Sequence, residues 1–282
     1  MSQARLMDGT GLARRIVDET AKRAADLTER TGVAPCLATV LVGEDPASVT
    51  YVRMKQNRSR KAGIESRHVA LPAGTTTAEL IGTLTELSTD PTVHGILLQH
   101  PMGHHIDERA AFEAIAPEKD VDGVTLASFS AMSFGLPGFA SCTPGGIMRL
   151  LDEYDVDPAG KRAVVVGRSA ILGKPVGMLL LGRDATVTYC HSRTADLSAV
   201  VREADIVVAA VGRPRLIRGE DIKPGAVVVD AGYNPGNIGD VDFDSARERA
   251  SLITPVPGGV GPMTIATLLA QTVEAATRQT GA

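Results

Sequence analysis

Four short apolar runs in the second half of the chain, Ala163–Gly167, Ala185–Tyr189, Asp205–Val211 and Ala226–Asp230, limit what this sequence can fold into. Each is rich in β-branched residues and too short for a helix, and helical or loop segments separate them. That spacing reads as βαβ units, hence a parallel sheet covered on both faces. The first half alternates likewise: helix over 11–30, strand over Pro35–Gly43, a basic helix over 46–62, a weaker strand over His68–Leu71, helix over 76–88 with an N-cap among Thr75–Thr77, strand over His94–Gln99 and a short helix over Asp107–Ile115. Residues 117–146 break this rhythm with Pro117, Gly123, Gly135, Pro137, Gly138 and Pro144, and read as an irregular crossover at a domain boundary. The expectation is a two-domain α/β protein: an N-terminal domain over 1–140, a doubly wound Rossmann-like domain over 141–262, and a last helix over 263–279.

Composition excludes several classes. A net charge of −4 leaves no basic footprint for nucleic acid. Cys36, Cys142 and Cys190 are odd in number, far apart and in no metal-ligand spacing, which argues against a disulfide framework or a zinc site and for a reducing compartment. The first 15 residues carry charges throughout, unlike a signal peptide, and no apolar run is long enough to span a membrane. The expected home is the cytoplasm.

The strand at 163–166 runs into Gly167-Arg168-Ser169-Ala-Ile-Leu-Gly173-Lys-Pro-Val-Gly177 and an apolar helix through Leu181. A glycine-rich turn between a strand and a helix N-terminus directs backbone N–H groups and the helix dipole at phosphate oxygens. The glycine spacing is wider than the usual dinucleotide fingerprint. At the tip of the next strand, where an NAD site has an acidic residue for the ribose hydroxyls, the chain has Cys190-His191-Ser192-Arg193-Thr194. Ser192 and Arg193, with Arg168 nearby, suit a 2′-phosphate, so the cofactor expected is NADP. His191 reads as a tip residue near the ribose rather than a base.

Tyr51 and Lys55, four apart on a helix, share a face. A lysine beside a cation or in an apolar pocket is driven toward its neutral form and acts as a base; the same spacing also occurs in solvated surface pairs. Gln99 closes a strand at the end where open sheets bind ligands. In Lys119-Asp120-Val-Asp122-Gly123 the carboxylates either grip a ring edge bearing amino donors or bond the local backbone of a turn. His104 and His105 have no third metal ligand nearby. Finally, Thr254-Pro-Val-Pro257-Gly258-Gly259-Val260-Gly261-Pro-Met-Thr264 holds three prolines and three glycines. It reads either as an ordinary strand-to-helix turn or as a stiff, bare-backboned loop suited to a flat ligand, and on the second reading Gly259→Val is expected to spare the fold and cofactor binding while blocking that ligand.

Taken together, these segments resemble the bifunctional methylenetetrahydrofolate dehydrogenase/methenyltetrahydrofolate cyclohydrolase family. The segments that carry the resemblance are Val42-Gly43 with Ala47-Ser48, Tyr51-Val-x-x-Lys55, Gly95–Gln99, Lys119–Gly123, Cys142-Thr-Pro144, Val166–Ser169 with Gly173-x-Pro175, Cys190–Arg193 and 254–264. The resemblance implies NADP-dependent oxidation of 5,10-methylenetetrahydrofolate, then hydration of the methenyl cation to 10-formyltetrahydrofolate. It implies Lys55 as general acid/base, Tyr51 stacking on the folate, Gln99 tuning Lys55, and Asp122 anchoring the pterin. It further implies that Pro257, Gly258, Gly259, Val260 and Gly261 line the folate, and that Gly167, Arg168, Ser169, Ser192, Arg193 and Tyr233 bind the cofactor. A homodimer through the NADP domain and a last helix that returns to the first domain also follow from it. The chain departs from the family pattern at His100-Pro-Met-Gly103, Ser128–Met132, Ser141, Leu172 and Tyr233, which bears on the balance of the two activities. The alternatives are an NADP-dependent oxidoreductase of related fold acting on another small substrate, or a weakly active paralogue.

Overall fold

The structure is a computed structural model that describes residues 3–43 and 57–282. In chain order its elements are β1 (Arg5–Leu6), α1 (Gly9–Thr31), β2 (Cys36–Val42), β3 (Glu65–Leu71), α2 (Thr77–Thr89), β4 (Gly95–Leu98), α3 (Glu108–Glu113), α4 (Leu126–Phe134), α5 (Cys142–Glu153), β5 (Arg162–Val166), α6 (Gly173–Leu181), β6 (Thr186–Cys190), α7 (Leu197–Arg202), β7 (Ile206–Ala209), β8 (Val227–Asp230), α8 (Phe243–Arg247), β9 (Leu252–Ile253) and α9 (Val260–Thr280). Residues 57–61, where description resumes, are helical; the rest of the helix expected over 46–62 lies outside the described residues. The chain forms two units, one of residues 1–14, 132–136 and 141–267, the other of 15–131, 137–140 and 268–282.

In the first unit the four apolar runs, β5 to β8, pair in parallel with β1 and β9 in a six-stranded sheet of order β1-β9-β8-β7-β5-β6. Val164, Val166, Val207, Ala209 and Val228 share one core with Val201, Ile222 and Ala246. The alternate residues Ala163, Val165, Ile206, Val208 and Val229 are equally buried. Burial on both faces is why these strands read as continuous apolar runs. From β5 the chain first adds β6 on one side, then returns to place β7 on the other. This reversal is the 2-1-3-4-5 switch, whose crevice lies at the carboxyl ends of the two central strands.

The second unit holds a parallel sheet in the order β3-β2-β4. Central β2 is buried along its length, whereas edge strand β3 is half exposed. Mixed exposure gives Glu65–Leu71 a mixed composition, which is why sequence reading found only its last four residues. Leu80, Leu84 and Leu87 of α2 pack with Ile96, Leu98 and Phe112. Thr76 caps α2 in a capping box with Glu79.

Three expectations need correction. Residues 117–146 are not irregular: they contain α4 and the start of α5, where Pro144 falls in the first turn and costs no hydrogen bond. Likewise the last helix starts at Val260, with Pro262 in its first turn, so the end of the Pro/Gly segment is helical. The chain's first 14 residues belong with the six-stranded unit, because β1 extends that sheet beyond β9.

The last helix joins the second unit through Leu268–Ala282. Gln271 Nε2 donates to Val121 O at 2.7 Å and Ala140 O at 3.0 Å, and Gln279 Nε2 to His94 O at 2.9 Å and Glu118 O at 3.1 Å. These bonds fix the 118–122 segment from behind. Gln271→Leu is expected to remove both of its bonds to Val121 O and Ala140 O and cost about 1–3 kcal/mol, read as a lowered urea midpoint.

Candidate functional site

The turn after β5 is built from backbone crowding. At Gly167, with φ of 138°, a Cβ would lie 2.2 Å from Ala210 O, and at Gly173 it would lie 2.6 Å from the Gly167 carbonyl. At Gly177 it would meet Tyr189 Oη at 2.2 Å; that hydroxyl donates to Lys174 O at 2.8 Å. The wide glycine spacing is thereby explained: two glycines let the turn close on itself and on the loop after β7, and the third seats α6 against β6. Ser169 Oγ accepts from Leu172 N and Gly173 N at 3.2 and 3.1 Å. Arg168 and Ser169 are exposed at this turn.

At the tip of β6, His191 N donates to Thr194 Oγ1 at 2.8 Å, and Arg193 N donates to His191 Nδ1 at 3.2 Å. His191 therefore organises the tip. Ser192 and Arg193 are exposed. The next carboxylate, Asp196, caps α7 by accepting from Ala199 N at 3.1 Å. A bare backbone cradle, an exposed guanidinium at the turn, and a hydroxyl and second guanidinium at the tip fit a dinucleotide carrying a 2′-phosphate. Tyr233, 72% exposed, donates to Asn237 Oδ1 at 2.9 Å in the loop after β8.

Sequence reading missed two carboxylates behind this crevice. Asp230, at the end of β8, accepts from Gly232 N, Asp240 N and Val241 N at 2.9–3.0 Å. Asp240 accepts from Val211 N, Gly212 N, Arg213 N and Asn234 Nδ2 at 2.7–3.1 Å. Both are buried. Their signature in the sequence is the adjacent glycines: a Cβ at Gly239 would sit 1.9 Å from Asp230 Oδ2, and one at Gly232 2.2 Å from the Asp240 carboxyl.

In the other unit, Gln99 follows β4 and is buried, with Nε2 donating to His100 O at 2.6 Å. Asp120 takes the local-turn role: its carboxylate accepts from Val124 N at 3.1 Å and Thr125 N at 2.9 Å. Asp122 is half-buried. Buried Lys119 donates to Asp90 O at 2.6 Å and Leu87 O at 3.3 Å, and burial pulls its pKa below the usual lysine value. His105 Nε2 contacts Thr75 O at 3.1 Å. Among the described residues no group of three His, Cys, Asp or Glu side chains is placed to hold a metal. Tyr51 and Lys55 lie outside the described residues.

The Pro/Gly segment follows β9. Gly258 has φ of 107°, and its carbonyl accepts from Thr10 N at 2.9 Å. At Gly259 a Cβ would lie 2.6 Å from Thr254 Cβ and 2.7 Å from Pro255 O, so a valine there disturbs the loop itself. This overturns the expectation that Gly259→Val would spare the fold. Gly261 meets nothing within 4 Å and is exposed.

A doubly wound sheet with a glycine-bare turn at its switch point marks a dinucleotide-binding protein. The chain matches the tetrahydrofolate dehydrogenase/cyclohydrolase catalytic domain over residues 7–122 and that family's NAD(P)-binding domain over 141–280. It is 81% identical over 278 residues to bifunctional protein FolD 1 of Streptomyces avermitilis, covering 99% of this chain and 97% of that one. Among solved structures, the bifunctional FolD enzyme of Campylobacter jejuni superposes with a TM-score of 0.95 at 43% identity, covering 98% of this chain and 99% of that chain. The Trypanosoma brucei FolD, complexed with NADP cofactor and inhibitor, gives 0.96 at 40% identity over the whole of both chains. The chain belongs to the tetrahydrofolate dehydrogenase/cyclohydrolase family. It is an enzyme of one-carbon metabolism, and the match over 7–122 counts against another small substrate on the same fold.

Burial, reinforced by the charge of Asp240, raises the Asp230 pKa to about 6, against the pull of three N–H donors. Between about pH 4 and 6 the native state holds a proton that the unfolded chain has released, so this group's contribution makes stability fall as pH rises through that window. The change is on the order of 3 kcal/mol. Asp90, held to about 2 chiefly by Thr92, acts below that window and with the opposite sign. Urea midpoints measured from pH 4 to 7 are expected to show a negative slope component in the wild type that Asp230→Asn lacks.

Proposed function

We propose that this enzyme oxidises 5,10-methylenetetrahydrofolate with NADP⁺ and hydrolyses the resulting methenyl cation to 10-formyltetrahydrofolate. The observation that carries the cofactor reading is the β6 tip, where Ser192 and Arg193 are exposed and the nearest carboxylate is spent on a helix cap. NADP⁺, when bound, supplies the hydride acceptor. Arg193 and Ser192, with Arg168, hold the 2′-phosphate; Ser169 and the Gly167 turn hold the pyrophosphate; Tyr233 lies at the nicotinamide end.

Lys55 removes a proton from the water that attacks the methenyl carbon, and N5 takes up a proton as its bond to that carbon breaks. A cationic substrate favours the neutral amine this requires. Tyr51 stacks on the folate, Gln99 tunes Lys55, and Asp122 accepts from the amino groups of the pterin. Pro257, Gly258, Gly259, Val260 and Gly261 line the folate. We assign the unit of residues 15–131, 137–140 and 268–282 to catalysis and the six-stranded unit, which takes in residues 1–14 as well as 141–267, to NADP binding. The enzyme acts in the cytoplasm as a homodimer joined through its NADP-binding unit, whose strand β6 is an unpaired sheet edge among the described residues. Among those residues no helix is long and apolar enough to cross a membrane.

The test follows nicotinamide and methenyl-folate absorbance with 5,10-methylenetetrahydrofolate and either NADP⁺ or NAD⁺. Turnover preferring NADP⁺ at equal subsaturating concentrations is expected, and no reduction with either cofactor overturns the reading. Lys55→Met is expected to slow methenyl-folate hydrolysis by about 100-fold or more with NADPH binding retained; undiminished hydrolysis removes Lys55 as the base. Gly261→Ala places a methyl in open space, so its melting temperature is expected to hold or rise slightly while KM for the folate increases about tenfold, a loss of about 1.4 kcal/mol. An unchanged KM takes Gly261 out of the folate site.

A further inference from the structure

The loop after β7 forms one wall of the crevice at the switch point, because Ala210 O is the atom a side chain at Gly167 would strike. Three successive amides of that loop converge on one buried carboxylate. Asp240 Oδ2 accepts from Val211 N at 2.7 Å and Gly212 N at 2.9 Å, and Oδ1 from Arg213 N at 2.8 Å and Asn234 Nδ2 at 3.1 Å. The remainder of the loop is tied to the same stretch of chain: Arg215 N donates to Gly239 O at 3.0 Å and Ile217 N to Asp240 O at 3.1 Å. Consecutive N–H groups pointing into one concavity are the usual means of holding an external anion. Here the protein supplies its own anion from behind, and the donors are turned away from the crevice.

We propose that Asp240 is a positioning residue for the dinucleotide: by drawing the amides of Val211, Gly212 and Arg213 inward, it sets the crevice wall that faces the Gly167 turn and so the affinity for the cofactor. This rests on the NADP-binding reading of the crevice. Each carboxylate oxygen takes two donors, so an amide in its place leaves two donors facing an NH₂ whichever way it is turned.

The test is NADPH binding by fluorescence, together with both activities, in wild type and Asp240→Asn. The hydrolysis of methenyl-folate in the absence of nucleotide serves as an internal control, since that reaction consumes no cofactor. The expected result is a dissociation constant for NADPH, and a KM for NADP⁺, raised tenfold or more, with nucleotide-free hydrolysis within twofold of wild type. Equal losses in both activities would show a structural role alone, and unchanged NADPH affinity would overturn the proposal outright. A wild type that binds no NADPH would instead sink the functional reading. Should Asp240→Asn not fold, amide hydrogen exchange in the wild type decides: the amides of 211–213 are expected to be protected without nucleotide, and exchange at unprotected rates would overturn the proposal.

Discussion

A carboxylate taken out of water is costly unless hydrogen bonds replace its hydration, and Asp230 and Asp240 meet that demand only by recruiting the backbone around them. Asp230 takes three backbone amides and Asp240 three more with one side-chain amide, so the loops after β7 and β8 are committed to each other. The loop after β7 also borders the Gly167 turn, so the course of that side of the crevice follows from where Asp240 is buried. The second unit uses the same device with both signs: Lys119 collects two carbonyls at the end of α2, and Asp120 collects the amides of Val124 and Thr125. In each case the charge in the motif shapes a loop, while Arg168 and Arg193 beside these motifs are exposed and Asp122 is half-buried.

What the sequence revealed follows from how each signal arises. Strands buried on both faces advertise themselves as apolar runs, so β2, β5, β7 and β8 were legible. The Gly167 turn was legible because crowding demands glycine. Strands β1 and β9 have two residues each and carry no period to detect; they exist because the sheet edge offers them partners. Helices α4 and α5 were hidden by prolines and glycines that read as loop but fall at helix starts or between helices. Asp230 and Asp240 were passed over because nothing in the one-dimensional pattern says that residues ten apart will share a pocket with the amides of 211–213. Tyr51 and Lys55 were legible as a spaced pair whose chemistry only the resemblance specified.

Glycines sort by what a side chain in their place would meet, and the sorting separates folding from function. Gly167, Gly173, Gly177, Gly232, Gly239 and Gly259 are all required by the fold, since a Cβ at each would lie within 2.7 Å of another part of the chain. Gly258 is required by its left-handed backbone. Gly74, Gly82 and Gly261 have neither reason: nothing stands within 4 Å and φ is ordinary. Of these, Gly82 lies within α2, where it costs about 1 kcal/mol relative to alanine. Gly261 differs from both in its place, one residue into α9 and directly after a loop whose own glycines the fold has already claimed. Fold requirements therefore account for Gly258 and Gly259, whereas at Gly261 the chain itself leaves room for a side chain.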